Sequence, residues 1–404
     1  MGEVLEKNLV SYGVENPVSL MDKFYRVGND MLLTLRNYVT NPAAKKQPRY
    51  WGSLDAAKMI NVSNPTFRKL LEIHSTVPGT VLEKNKKGRE VKKFTLEAIN
   101  FLRDKAKTRY KRPKGSECLI VAVSNLKGGV GKTQTAVDLC KKISLDGLRV
   151  LLIDFDAQGT ATLISSGLIP DLELSYEDTI TTYLIDNPNG ITKIIQDTSF
   201  HGFDIIPANL AIQDCDLILP NENLNNNDKI GSPFMRLKKA LSPIKENYDV
   251  IIIDCGPNLG ALTINAIVAC NGIIIPIPPV MSDYSSFIMF TSTLKSLFKE
   301  LGNKKLEYLR LLLSKHPGHG ESLEMENMMR EQFGRYILAN HMCETIEVAK
   351  AASEIGTIYD IVKPRGSREA YRRAIQHLDD VNNEIISGFK YIWEEQGKES
   401  KING

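Results

Sequence analysis

Residues Lys127-Gly128-Gly129-Val130-Gly131-Lys132-Thr133 bring two lysines, three glycines and a hydroxyl into seven consecutive positions, with Gln134 next in line. A set of this kind can hold phosphate. Glycines adopt backbone angles denied to other residues, so successive N–H groups can turn inward around an anion. A helix starting near Lys132 adds free N–H groups and its positive dipole end. Lys132 then offers a point charge to β- and γ-phosphates, and the Thr133 hydroxyl a ligand to Mg²⁺. Against the pattern G-x-x-x-x-G-K-[ST], Leu126 stands where the first glycine belongs, and the second lysine follows it directly. A glycine-rich turn without a ligand would be the alternative, and the order of strand, loop and helix speaks against it.

Carboxylates recur where such a loop would need them. Asp154-Phe155-Asp156-Ala157-Gln158 follows an apolar run, and two acids at that spacing suit metal handling and water positioning. Val250 to Ile253 is a four-residue apolar run ending in Asp254, the Walker B arrangement, whose carboxylate holds Mg²⁺ through water. Alone that run is weak; beside the loop and the Asp154 region it is strong.

These side chains require a scaffold. Leu119–Val123, Leu148–Ile153, Phe203–Ile206, Val250–Ile253, Ile273–Ile275 and Leu309–Leu313 read as buried strands. A helix through Ala136, Leu139, Cys140 and Ile143 ends at Gly147, and another spans about Ser285 to Leu301. Helices follow over Thr345–Glu354 and from Arg368 to about Glu395, while Asn221–Asp228 reads as a polar loop. Strand and helix alternate, which predicts an α/β fold: a doubly wound, mainly parallel sheet across residues 115–404.

The charge is unevenly spread. Of 51 Lys+Arg and 48 Asp+Glu in 404 residues, 23 basic and 11 acidic residues fall in positions 1–116, a net +12 against −9 for the rest. That end is the one to meet nucleic acid. Within 1–48, Leu20, Phe24, Val27, Met31, Leu35 and Tyr38 recur at helical spacing over Ser19–Thr40, a stripe that packs on a second copy or on the next domain. Residues 49–114 read as a small winged helix-turn-helix domain. Ser53 is expected to cap a first helix, Asn61-Val62-Ser63 to turn, and Asn64-Pro65 to open a second helix presenting Thr66, Arg68 and Lys69 to a major groove. Glu83–Lys93 forms a basic hairpin with Lys86, Lys87 and Arg89, and Thr95 caps the helix after it. A helical domain with a solvated basic face is the plainer alternative. Six separated cysteines without a C-x-x-C pair favour reduced thiols, and neither a signal peptide nor a membrane span is expected, which suggests a cytoplasmic protein.

The chain resembles the ParA family of plasmid-partition ATPases, in particular its long type with an N-terminal DNA-binding domain. The resemblance rests on KGGVGKT at Lys127–Thr133, the deviant Walker A signature, and on VLLIDFDAQGTAT at Val150–Thr162. It extends to DIIPA at Asp204–Ala208, YDVIIIDCGPNLG at Tyr248–Gly260 and ETIEVAKA at Glu344–Ala351. Ala157 and Thr160 depart from the usual Pro and Asn, which touches only the local loop. The N-terminal segment resembles MerR-like domains. What the family implies is slow hydrolysis of ATP with Mg²⁺ and an ATP-dependent homodimer. The loop residues hold the phosphates, while Thr133 and Asp254, with Asp154 behind, serve the metal. Asp156 orients the attacking water, and Lys127 reaches the partner subunit's ATP. The resemblance further implies non-specific DNA binding through Lys350 and its surroundings, stimulation by a ParB-type centromere-binding partner, nucleoid association, and repression of its own operon through the N-terminal domain. Rival readings are a nucleotide-sensing repressor without a transport role and a MinD-like positioning ATPase. The second needs a basic amphipathic C-terminal helix, whereas Tyr391–Gly404 is mixed in charge. A nitrogenase-iron-protein-like reductase would need cysteines placed for a shared cluster, and none are evident.

Overall fold

The computed structural model describes residues 16–39, 47–74, 76–84, 87–187, 189–224, 232–302, 304–362 and 366–403. It divides into two units, 1–47 and 48–404. In the first, Pro17–Val39 forms one helix, α1, as its apolar periodicity requires; Thr40 lies outside the described residues.

The second unit opens with β1 (Trp51–Gly52), α2 (Ser53–Ile60) and α3 (Asn64–Ile73). Then come β2 (Thr80–Lys84), β3 (Glu90–Phe94) and α4 (Leu96–Ala106). Asn61 takes the left-handed conformation at the end of α2, which its short polar side chain tolerates. Gly52, not Ser53, occupies the cap of α2, so Ser53 is already helical and provides no cap hydrogen bond. The caps of the next two helices are side chains: Ser63 Oγ accepts from the Thr66 amide and Thr95 Oγ1 from the Ala98 amide. β2 and β3 form an antiparallel hairpin, and β1 adds to β3. Ile60, Phe67, Phe94 and Leu102 are buried between these pieces and belong to the same apolar cluster as Leu119, Val121 and Trp393. Residues 48–114 therefore pack on the chain that follows.

That chain forms a seven-stranded sheet from β4 (Leu119–Val123), β5 (Val150–Phe155), β6 (Gln196–Asp197), β7 (Phe203–Ile206), β8 (Val250–Cys255), β9 (Gly272–Ile277) and β10 (Tyr308–Leu313). The order is β10-β9-β4-β8-β5-β7-β6, parallel throughout except for β6 at one edge. Alternate residues enter opposite layers: Val121, Leu152 and Ile252 face one apolar cluster, while Ala122, Leu151 and Ile253 face the other. The expected helices form with shifted ends. Met281–Glu300 begins a turn earlier than its pattern suggested, and Arg368–Asn403 runs past Glu395. Asn221–Leu224 are the last turn of a helix begun at Gln213 rather than part of a loop, and residues 225–231 lie outside the described ones.

Candidate nucleotide site

β4, β8 and β5 are neighbours, so their carboxyl ends present three segments side by side, with Val123 and Asp154 both paired to Asp254 in register. From β4 the chain turns through Ser124–Gly131 into α5 (Lys132–Leu145). Gly129 and Gly131 have φ of 76° and 90°, a region open at little cost only to glycine. The turn is braced from outside: Ser314 Oγ donates to Val130 O at 2.7 Å, and Asn125 Nδ2 donates to Pro276 O at 2.8 Å. Lys132 is 6% exposed, and its Nζ donates to Lys127 O at 2.9 Å, folded back under the turn. Burial lowers its pKa, opposed by the Asp254 charge. Gln134, expected near the phosphates, follows Thr133 and donates its amide to Asp138, a buried carboxyl pushed up to about 7 by desolvation.

The three acids have separate environments. Asp254 is wholly buried, and neither of its oxygens has a hydrogen-bond partner. Burial and then the Asp154 charge hold its pKa well above the carboxylate range, with Thr133 and Lys132 pulling the other way. Two orphan oxygens beside a half-buried threonine hydroxyl form a hard-oxygen donor set that fits Mg²⁺. Asp154, equally buried, has its oxygens engaged by its own loop. Oδ2 accepts from the Thr162 amide at 2.8 Å and from Thr162 Oγ1 at 2.7 Å, and Oδ1 from the Asp156 amide at 3.1 Å. Burial still raises its pKa to about 6. The sequence placed Asp154 beside the metal; its geometry makes it first a support for the loop carrying Asp156. Asp156 is half-buried and accepts from the Gln158 amide at 3.0 Å. Lys127 reaches away from the turn, its Nζ 2.6 Å from Asp283 Oδ1 and 2.9 Å from Ser282 Oγ at the start of the helix Met281–Glu300.

A model of the AAA domain family matches residues 118–308. Protein SopA of Escherichia coli (strain K12) is 33% identical over 360 residues, covering 88% of this chain and 92% of that protein. A putative replication protein A of Sinorhizobium fredii is 32% identical, covering 90% of this chain and 91% of its own. The chain belongs to the ParA family of partition ATPases. Among solved structures, one named "Partition Protein" superposes with a TM-score of 0.61 over 82% of this chain and 95% of its own at 18% identity, a likeness of fold.

The ParA-family site has a further wall that sequence reasoning missed. A cavity of about 470 Å³ runs from Gly128, Lys132, Thr133 and Asp156 to an apolar end at Met342, Val348 and Leu378. Nothing local in those residues marks them: they are ordinary apolar positions, Met342 tied to the end of β10, Val348 on the helix Ile346–Ser353 and Leu378 on the last helix. Of the residues expected at DNA, Thr66, Arg68 and Lys69 are exposed on α3, although the Thr66 hydroxyl is also 2.9 Å from the Ser63 hydroxyl. Lys87 and Arg89 are exposed between β2 and β3, and Lys86 lies outside the described residues. Lys350 is half-exposed on the helix Ile346–Ser353 and pairs with Glu347 at 2.9 Å. Among the described residues no helix is long and apolar enough to cross a membrane.

Proposed function

We propose that this ParA-family chain is a DNA-segregation ATPase that hydrolyses ATP with Mg²⁺ and forms an ATP-dependent homodimer. The observation that carries the reading is the fully buried Asp254 carboxyl beside Thr133 and Lys132, which line one cavity with Gly128, Gly129 and Gly131. Amides of Gly128–Gly131 and Lys132 hold the phosphates; Thr133 and Asp254 hold the metal. Mg²⁺, when bound, offsets charge on the β- and γ-phosphoryl oxygens. Asp156 orients the attacking water, and Lys127 leaves Asp283 to meet the partner subunit's ATP, where it stabilises developing charge. The apolar end of the cavity accepts the base.

Two DNA surfaces complete the reading. Thr66, Arg68 and Lys69 on α3, with the basic hairpin as wing, read an operator in the manner of a winged helix-turn-helix and make the chain an autorepressor. The surface around Lys350 binds DNA without sequence preference, giving nucleoid association, and a ParB-type partner stimulates hydrolysis and release. The choice of nucleotide is supported by a structure of similar fold, a putative plasmid partition protein of Borrelia burgdorferi bound to AMPPNP. The test is sedimentation and phosphate release with ATP and with ADP. Dimers confined to ATP, and hydrolysis lost in Lys132→Ala, are expected; nucleotide-independent dimers with unchanged turnover would overturn it.

A further inference from the structure

Thr162 lies on α6 (Thr160–Ser166), one turn beyond the loop that carries Asp156, and is fully buried. Its hydroxyl has both capacities in use. It donates to Asp154 Oδ2 at 2.7 Å and accepts from the Ala208 amide at 2.9 Å. The direction is forced, because an amide can only donate, so the hydroxyl proton must point at the carboxylate. The Thr162 amide gives Asp154 Oδ2 a second bond at 2.8 Å, and the Asp156 amide gives Oδ1 a third at 3.1 Å. A carboxylate that accepts three bonds in a buried site is fixed in orientation, and here its free edge holds the backbone of Asp156. Gly159 shows how closely the pieces fit: a Cβ there would lie 3.0 Å from Ala208 O and closer still to Pro170.

We propose that Thr162 is a positioning residue for hydrolysis, acting through Asp154 to set the place of the Asp156 carboxylate. The inference rests on the reading that Asp156 orients the attacking water. It assigns to one hydroxyl the joining of three segments, the end of β5, the start of α6 and the turn after β7, whose mutual placement fixes Asp156. Thr162 is not among the residues that line the cavity. Its loss should therefore spare ATP binding and reduce turnover.

The experiment uses the full chain. Thr162→Val keeps the shape and removes the hydroxyl; Thr162→Ser keeps the hydroxyl. Steady-state ATPase kinetics, affinity for a fluorescent ATP analogue and thermal melting are measured for each. We expect kcat to fall about ten- to a hundredfold in Thr162→Val with KM and analogue affinity within about twofold, and Thr162→Ser to restore most of it. Adding Thr162→Val to Asp156→Ala should cost nothing further, because both changes act at one point. Unchanged kcat in Thr162→Val overturns the inference, as does a loss of affinity matching the loss of turnover, or a full additional loss in the double variant. Should the valine variant not fold, Thr162→Ala is read in the same way. Wild-type turnover in Asp156→Ala would instead remove the reading beneath it, so the two failures are distinguishable.

Discussion

Releasing Lys127 from its own subunit should tighten the ATP-dependent dimer. Its ammonium lies 2.6 Å from Asp283 Oδ1, with side chains 35% and 11% exposed, so the lysine must leave this pair before it can reach across an interface. Fully exposed pairs contribute about 0.2–1 kcal/mol, and breaking a buried one costs about 3–5 kcal/mol. This pair is half-covered on the lysine side and supported by the Ser282 hydroxyl at 2.9 Å, which places it at about 1 kcal/mol. Asp283→Asn removes the charge and keeps the shape. Each dimer frees two such lysines, one from each subunit, so the gain is about 2 kcal/mol and the dimer dissociation constant should fall about thirtyfold. The assay is sedimentation over a concentration series with ATP in an Asp156→Ala background, where hydrolysis does not erode the dimer. The difference should narrow as salt rises, because the retained pair is partly screened. An unchanged or weaker dimer in Asp283→Asn would refute the argument, and Lys127→Gln should abolish the dimer with or without Asp283.

Lys132→Ala should lose ATP binding by calorimetry, since the cation buried under the loop is gone; undiminished affinity would show that another group carries the phosphates. Asp156→Ala should bind ATP and dimerise but hydrolyse poorly, each tenfold loss in turnover being about 1.4 kcal/mol of barrier. Burial raises Asp138 to about 7, so its protonation favours the folded chain: that contribution is complete below the ordinary carboxylate pKa and is lost as pH rises through 7. Asp138→Asn should therefore raise the melting temperature at pH 8 and flatten its dependence between pH 6 and 8; a parallel shift at both pH values would contradict this. Arg68→Ala with Lys69→Ala should reduce operator preference in fluorescence anisotropy while leaving ATP-dependent binding to random DNA intact. Lys350→Ala should do the reverse, lowering the slope of log affinity against log salt by about 0.9 for each phosphate left unneutralised.

Those point variants are preferable to deleting residues 1–112, and the reason shows what sequence could and could not disclose. The helices and hairpin of 49–114 were legible from Asn61, Pro65, Thr95 and the basic run, because turn and cap chemistry is local. Their attachment was not. Arg109 Nε donates to Gly147 O at 2.6 Å, Arg49 to Tyr359 O at 2.8 Å, and Tyr110 stacks on Trp393, contacts separated by 38 to 310 positions that no local pattern encodes. Cutting at 112 would uncover that side of the core and confuse loss of DNA reading with loss of folding. The same division runs through the site. Lys132, Asp156 and Asp254 announce themselves by type, spacing and a preceding apolar strand, since phosphate and metal chemistry needs those groups at the carboxyl edge of a parallel sheet. The partner that holds Lys127, the apolar end of the cavity and the hydroxyl behind Asp156 are set by strand order. Asp283 becomes a neighbour of Lys127 only because β9 lies beside β4, and Ala208 reaches Thr162 only because β7 lies beside β5. Residues proposed to do the chemistry were therefore readable in one dimension, whereas those that restrain and aim them required the sheet.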